Sequence, residues 1–332
     1  MSRRLLQAMA GAQHGGAETF FVRLVSALQR VGENQRVLIR RDADRLRRLR
    51  QAGVAVTELG FSGPFDISTR FGFRRLIAAW DPDIVLTWMS RATQACPRGD
   101  FVHVARLGGY YNLKYYRHCD HLIANTRAIV DYAVVNGWPR ARIDYLPNFV
   151  PDFGAATPCS NRVGDAPLAL ALGRLHQNKG FALLVEALSM TREVHLAIAG
   201  DGPLRDTLEK QAHDLGVADR VQFLGWCDDI PALLARADFL VCPSLREPLG
   251  NVVIEAWSAG LPVIATASDG PAALIEDQVN GLLAPLPDQP GGGPKALAAA
   301  IERLCRSPEL RRNLGRGGRR AYEAEFTEAA VV

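Results

Sequence analysis

The chain has 332 residues, 48% of them hydrophobic and 22% charged, and reads as an ordinary globular protein long enough for two domains. It has no apolar stretch approaching the roughly 18 residues of a membrane span, and six cysteines with no C-x-x-C pair, which read as reduced thiols of a cytosolic protein rather than metal ligands. The net charge of +4 hides an asymmetry: residues 1–152 carry 22 Lys+Arg against 13 Asp+Glu, and residues 153–332 carry 17 against 22.

The opening "MSRRLLQAMAGA" has the charge of a signal peptide, but Gln7 interrupts its short apolar run, so a first strand is expected. Further strand-like runs follow at "RVLIR", "VAVTEL", "DIVLTW", "FVHVA" and "HLIAN". Between the first two, "AETFFVRLVSALQRV" sets Ala17, Phe20, Phe21, Leu24, Leu28 and Val31 on one helical face. Residues 36–51 hold seven arginines around Leu46 and Leu49, a basic face with a thin apolar seam suited either to an anionic membrane surface or to plain solvent. "DPD", residues 81–83, looks like a metal-binding D-x-D but precedes an apolar strand, and a turn is the expectation. "TRAIVDYAVVNGW" predicts a helix capped by Thr126 and stopped at Gly137.

Residues 146–167, rich in Pro, Gly, Ser and Asn, mark the domain boundary. The second half alternates strands "LALALG", "HLAIAG", "RVQFLG", "DFLVCPS" and "LPVIAT" with helices "FALLVEALSM", "PLRDTLEKQAHDLG", "IPALLARA" and "GNVVIEAWSAG". Short apolar strands separated by helices imply parallel sheets covered on both faces, hence two doubly wound α/β domains.

In such sheets ligands bind beyond the carboxyl ends of the strands. "LALALG" is followed by Arg174 and Lys179, a planar fork and a point charge that can bracket a diphosphate. "HLAIAG" is followed by the tight turn Asp201-Gly202-Pro203. "DFLVCPS" is followed by "LREPLGNVVIEAW", where Leu249, Gly250 and Asn251 would open a helix whose free amides favour an anion. Glu247 before that turn and Glu255 within the helix can accept hydroxyls of two sugar rings, one on each side of the diphosphate.

The pair Glu247 and Glu255 matches the E-x7-E motif of the family-4 retaining glycosyltransferases, and "GRLHQNKG", "GDGPL" and "PSLREPLGNVVIEAWSAGLPVIAT" resemble the nucleotide-sugar domain of that family in order and spacing. "HGGAE", residues 14–18, resembles its amino-terminal Gly-Gly loop and "LPNFV" its interdomain connection, so the resemblance spans nearly the whole chain. It implies a GT-B fold of two facing Rossmann-like domains: residues 1–152 on the acceptor side, 153–315 for the nucleotide sugar, and 316–332 as a helix returning toward the first domain, shortened relative to the family.

The implied activity is metal-independent, retaining transfer of a hexose-type sugar from a nucleoside diphosphate sugar, UDP rather than GDP, to a glycan or lipid-linked glycan such as lipopolysaccharide core. Catalytic roles fall to Glu247, Arg174 and Lys179. Donor binding adds Gly15, Gly16, Gly202, Leu249, Gly250, Asn251 and Glu255, with Trp226 beside the nucleobase. "RLGGYYNLKYYRHCDH", residues 106–121, is rich in tyrosine and cations and suits an anionic acceptor; His103, Arg106 and Tyr110 are the acceptor-side candidates. Arg106 and Leu107 stand where many family members carry a histidine, and Ala272 and Ala273 where an acidic residue is common. No cofactor, metal or nucleic acid is expected, and the location is cytoplasmic, with peripheral attachment to the inner membrane face through the basic half. The alternatives are a non-catalytic GT-B partner subunit and a GT-B nucleotide-sugar epimerase.

Overall fold

The computed structural model describes residues 3–13, 15–63, 66–154 and 166–332. The chain divides into two compact units, Met1–Asn148 with Val331–Val332, and Phe149–Ala330. Of the expected boundary segment, residues 155–165 lie outside the described residues, as does His14 of the Gly-Gly loop.

Unit 1 has strands β1 (Leu5–Met9), β2 (Gln35–Arg40), β3 (Ala55–Leu59), β4 (Ile84–Trp88), β5 (Val102–Leu107), β6 (His121–Ala124) and β7 (Ile143–Tyr145). Its helices are α1 (Gly16–Arg30), α2 (Ala43–Gln51), α3 (Ile67–Trp80), α4 (Met89–Ala95) and α5 (Arg127–Val135). The strands form one parallel sheet in the order β3-β2-β1-β4-β5-β6-β7. Each expected strand is present within two residues of its reading. Thr126 caps α5 by accepting the Ile129 N–H at 3.2 Å. The "DPD" turn behaves as a strand start: Asp81 is left-handed, and both aspartates bind Arg4.

Unit 2 has strands β8 (Leu168–Leu172), β9 (His195–Ala199), β10 (Val221–Gly225), β11 (Phe239–Cys242), β12 (Val263–Thr266) and β13 (Leu282–Ala284). Its helices are α6 (Phe181–Ser189), α7 (Arg205–Asp214), α8 (Ile230–Arg236), α9 (Asn251–Ser258), α10 (Asp269–Leu274), α11 (Pro294–Arg306), α12 (Pro308–Glu325) and α13 (Glu328–Val331). Its sheet is again wholly parallel, in the order β10-β9-β8-β11-β12-β13. The two faces explain the uninterrupted apolar runs. Along β8, Ala169 and Ala171 pack with α6 and α11, while Leu170 and Leu172 pack with α8, α9 and Tyr322 of α12. Tyr322 donates to the Val150 carbonyl at 3.1 Å and Arg319 pairs with Asp152 at 2.6 Å, so α12 is fastened within this unit.

Two expectations change. Strands β7 and β13, three residues each at the sheet edges, were not anticipated, because three residues cannot display a burial period. The seven arginines of residues 36–51 do not share one basic face: 36–40 belong to β2, as expected, and in α2 Arg45 is buried with Leu49. The basic surface that remains is carried by Arg41, Arg47, Arg48 and Arg50, all exposed.

Candidate active site

In unit 2 strand order reverses between β8 and β11, which are neighbours. Loops leaving the carboxyl ends of two strands that wind in opposite directions diverge there and leave a crevice. The β8 loop is pinned first: the Leu175 N–H donates to Asp201 O at 3.0 Å and the Leu204 N–H to Leu175 O at 3.2 Å, tying it to the turn after β9. Gln177–Lys179 then form a single 3-10 turn, capped where His176 accepts the Asn178 N–H at 3.3 Å. Gly180 is left-handed at φ 65°, and a Cβ there would overlap the carbonyl oxygen of Pro243. Glycine is required because the two loops touch through their backbones. The N–H groups of Leu245 and Arg246 complete the junction on Asn178 O at 2.8 and 3.1 Å.

That junction brings Lys179 and Glu247 together across the reversal. Lys179 Nζ pairs with Glu247 Oε2, the two side chains being 30% and 12% exposed. Glu247 Oε1 accepts the Gly250 N–H at 3.3 Å, and Oε2 accepts from Ser244 Oγ at 3.4 Å. The Glu247 carbonyl accepts the Gly270 N–H at 2.7 Å. Gly250, at φ 88°, is the N-cap of α9, so the helix starts at Asn251 rather than at Leu249. Leu249 is buried, and Asn251 and Glu255 follow one turn apart on α9, both partly exposed. Arg174 stands exposed on the same loop as Lys179. Gly202 opens the neighbouring turn, and Trp226, 59% exposed, follows β10 with its Nε1 donating to Asp228 at 2.9 Å. Thus Glu247 contacts both Lys179 and Gly250, while Arg174, Gly202 and Trp226 stand in the loops that follow β8, β9 and β10, and Asn251 and Glu255 in the helix after β11.

Three contributors escaped the sequence reading. Ser244 is buried under Glu247; Thr266 Oγ1 donates to Ser244 O at 2.6 Å; and Gly270 leaves no room for a Cβ against the Glu247 and Leu249 carbonyls. The only trace was their place at or shortly past the carboxyl ends of β11 and β12.

In unit 1 order reverses between β1 and β4, and the glycine-rich loop leaves β1 there. Glu18, in the first turn of α1 and buried, accepts the Ala12 N–H at 2.7 Å; any side chain at Gly11 or Gly15 would overlap its carboxylate. Arg45 Nη2 donates to Ala12 O at 2.5 Å. Gly15 and Gly16 themselves are exposed.

The acceptor-side candidates separate. Arg106, at 5% exposure, donates from Nη2 to Leu146 O, Pro147 O and Asn148 Oδ1 at 2.9, 3.3 and 2.8 Å, and its guanidinium lies 4.7 Å from the Phe20 ring centroid and 5.3 Å from that of Trp88. Burial lowers its pKa to about 9, which still leaves a cation at neutral pH. Its hydrogen bonding is directed at the end of unit 1. His103 is buried against Thr87, with Nε2 3.0 Å from Thr87 Oγ1, and burial lowers its pKa to about 4. Tyr110 is exposed, edge-on to Tyr132 at 5.3 Å.

Two doubly wound parallel-sheet units define a GT-B fold, as in the crystal structure of Anabaena HepE in complex with UDP, which this chain matches with TM-score 0.84 at 20% identity over 99% of this chain and 97% of that one. The family description "Glycosyltransferase Family 4" fits residues 14–152 and "Glycosyl transferases group 1" residues 158–321. The chain is 34% identical over 330 residues to the lipopolysaccharide core biosynthesis glycosyltransferase LpsE of Rhizobium meliloti (strain 1021), covering 96% of this chain and 94% of LpsE. LpsD of the same organism is 34% identical over 326 residues, covering 96% of this chain and 93% of LpsD. The chain belongs to the family-4 glycosyltransferases. Among the described residues no helix is long and apolar enough to cross a membrane.

Proposed function

We propose that the chain transfers a hexose-type sugar from a nucleoside diphosphate sugar, with retention at the anomeric carbon, onto a glycan of lipopolysaccharide core type. The observation that carries this reading is the Lys179–Glu247 pair across the strand reversal of unit 2, beside the start of α9. A diphosphate leaving a sugar gains negative charge at its terminal oxygens, and fixed cations lower that barrier because they need not reorganise. Lys179 and Arg174 are assigned to the diphosphate, with the Asn251 end of α9 adding its dipole. In this role they replace a metal ion. Glu247, held from behind by Ser244 and Gly250, is assigned to the transferred sugar, and Glu255 to the ribose. Gly202 and Trp226 are assigned to the nucleoside side, and Gly15 and Gly16 to the donor phosphates. UDP as the donor base is supported by HepE structures in complex with UDP and with UDP-glucose. A core-type acceptor is supported by the names of LpsE and LpsD. The exposed arginines of α2 support peripheral attachment to an anionic membrane from the cytoplasmic side.

The test is transfer from UDP-, GDP- and ADP-hexoses to lipopolysaccharide core, with and without EDTA, reading the anomeric configuration of the product by NMR. An α-linked product from an α-linked UDP-sugar, unaffected by EDTA, is the expected result. Inversion, dependence on a metal, or no transfer from any of these donors contradicts it.

A further inference from the structure

Unit 1 holds a hollow of about 640 Å³ that takes no part in the donor chemistry. Arg70 of α3, Arg98, Lys114, Arg117 and His118 line it, and the one acid among the described lining residues is Asp120. Asp120 is turned on the backbone, where its carboxylate accepts the His103 N–H at 2.8 Å. None of the five basic side chains is ion-paired with a carboxylate among the described residues. Arg98 Nη2 lies 3.1 Å from His118 Nδ1. A guanidinium can only donate, so in this contact Arg98 is the donor. Arg98 approaches the hollow from the loop after α4 and Lys114 and Arg117 from residues 113–118, and Asp120 is the one carboxylate set against them among the described lining residues.

The shape decides what such a charge is for. A hollow lined by several cations suits a compact anion. Its position decides which anion. Residues 97–103 and 117–120 stand at the amino ends of β5 and β6, whereas the glycine-rich loop leaves the carboxyl end of β1. Since β5 is six residues long, the two sheet edges are separated by about 20 Å. A group bound in the hollow is therefore several sugar units from a group at that edge. We propose that the hollow is an exosite for a phosphomonoester on the acceptor glycan, remote from the hydroxyl that receives the sugar. The proposal rests on the glycosyltransferase reading above for the identity of the acceptor, and it absorbs the cationic part of residues 106–121 that the donor site leaves unused.

The experiment compares a lipid-free phosphorylated core oligosaccharide with the same oligosaccharide after phosphatase treatment, using wild type and the double variant Arg98→Gln/Arg117→Gln. Both substitutions are at exposed positions, and donor hydrolysis without acceptor reports that the fold and donor site are intact. Wild type is expected to bind the phosphorylated probe at least tenfold more tightly, and to show a correspondingly lower KM for it. The double variant should lose that difference while keeping transfer to the dephosphorylated probe. Equal affinity of wild type for both probes overturns the proposal, as does a double variant that still discriminates between them. Tight binding of inorganic phosphate that the phosphorylated probe does not displace identifies a free-anion site instead, and also overturns it. So does a variant that loses binding only to phosphatidylglycerol vesicles, which would make the hollow part of a membrane surface. Transfer to the dephosphorylated probe separates failure of the exosite from failure of the transferase reading: the first leaves it intact, the second abolishes it.

Discussion

At the strand reversal of unit 1, Glu18, Arg45 and Arg106 are 7%, 4% and 5% exposed, and each is hydrogen-bonded to backbone. At the reversal of unit 2, Lys179 and Glu247 stay 30% and 12% exposed and bind each other, Glu247 also accepting the Gly250 N–H, with Arg174 open to solvent on the same loop. The strand order about each reversal is the same, unit 1 adding one edge strand, so the difference lies in what the charges face. A buried charge satisfied by carbonyls and amides builds a loop and is lost only at the expense of stability. An ion pair that keeps part of its surface in solvent can exchange its partners for the charges and hydroxyls of a ligand. Unit 1 thus uses charge to shape its edge, and in the proposed function unit 2 uses it to hold a substrate.

Substitutions can break this contrast. The largest effect is expected for Glu247→Gln, which keeps the shape and removes the charge: kcat should fall about 10²–10³-fold while the donor KM and the unfolding midpoint stay nearly constant. A parallel loss of stability would place Glu247 with the structural charges. Next is Arg106→Met, which leaves the Leu146 and Pro147 carbonyls without their donor and should destabilise the protein by about 2–4 kcal/mol in urea unfolding. Arg174→Gln, at an exposed site, should change stability by less than about 0.5 kcal/mol and weaken donor binding instead. If the two arginines behave alike, the contrast fails.

His103 sharpens the comparison through pH. Its folded pKa, about 4, lies below the ordinary 6.5, so the unfolded chain binds the extra proton between those values. Stability from this group is complete above about pH 6.5 and is lost as pH falls toward about 4, by at most about 3 kcal/mol. Replacing His103 with Asn should flatten that part of the stability profile; an unchanged slope would mean that the ring is not held neutral. The smallest effect is expected for Glu255→Ala, a donor KM raised about tenfold with kcat retained, measured in the same transfer assay.

The extent to which this could be read in advance follows from physical scale. Central strands announce themselves because burial on both faces forces unbroken apolar runs, as in "LALAL" and "FLVC"; the edge strands "IDY" and "LLA" are too short to do so. The placement of Lys179, Glu247 and Glu255 just past a strand or in the helix it opens was legible from the strand pattern; their ligand roles belong to the proposed function. Ser244, Thr266 and Gly270 were not, since their contribution is a contact between loops of different strands. Arg106 misled for a related reason: its position at the end of β5 is that of a ligand-binding group, but Phe20, Trp88 and the carbonyls of residues 146–147 enclose it. The arginines of residues 36–51 likewise read as one surface until Arg45 was seen turned toward the glycine loop.

The central claim is that the strand reversal of unit 2 binds the diphosphate of a nucleotide through Lys179 and Arg174. Thermal unfolding with UDP, GDP or ADP tests it most directly, because a ligand at a hundredfold over its dissociation constant adds about 2.7 kcal/mol of stability. The account predicts a clear upward shift for wild type with one of the three nucleotides, lost in Arg174→Gln/Lys179→Met. An equal shift in that double variant, or no shift with any of the three in wild type, would contradict it.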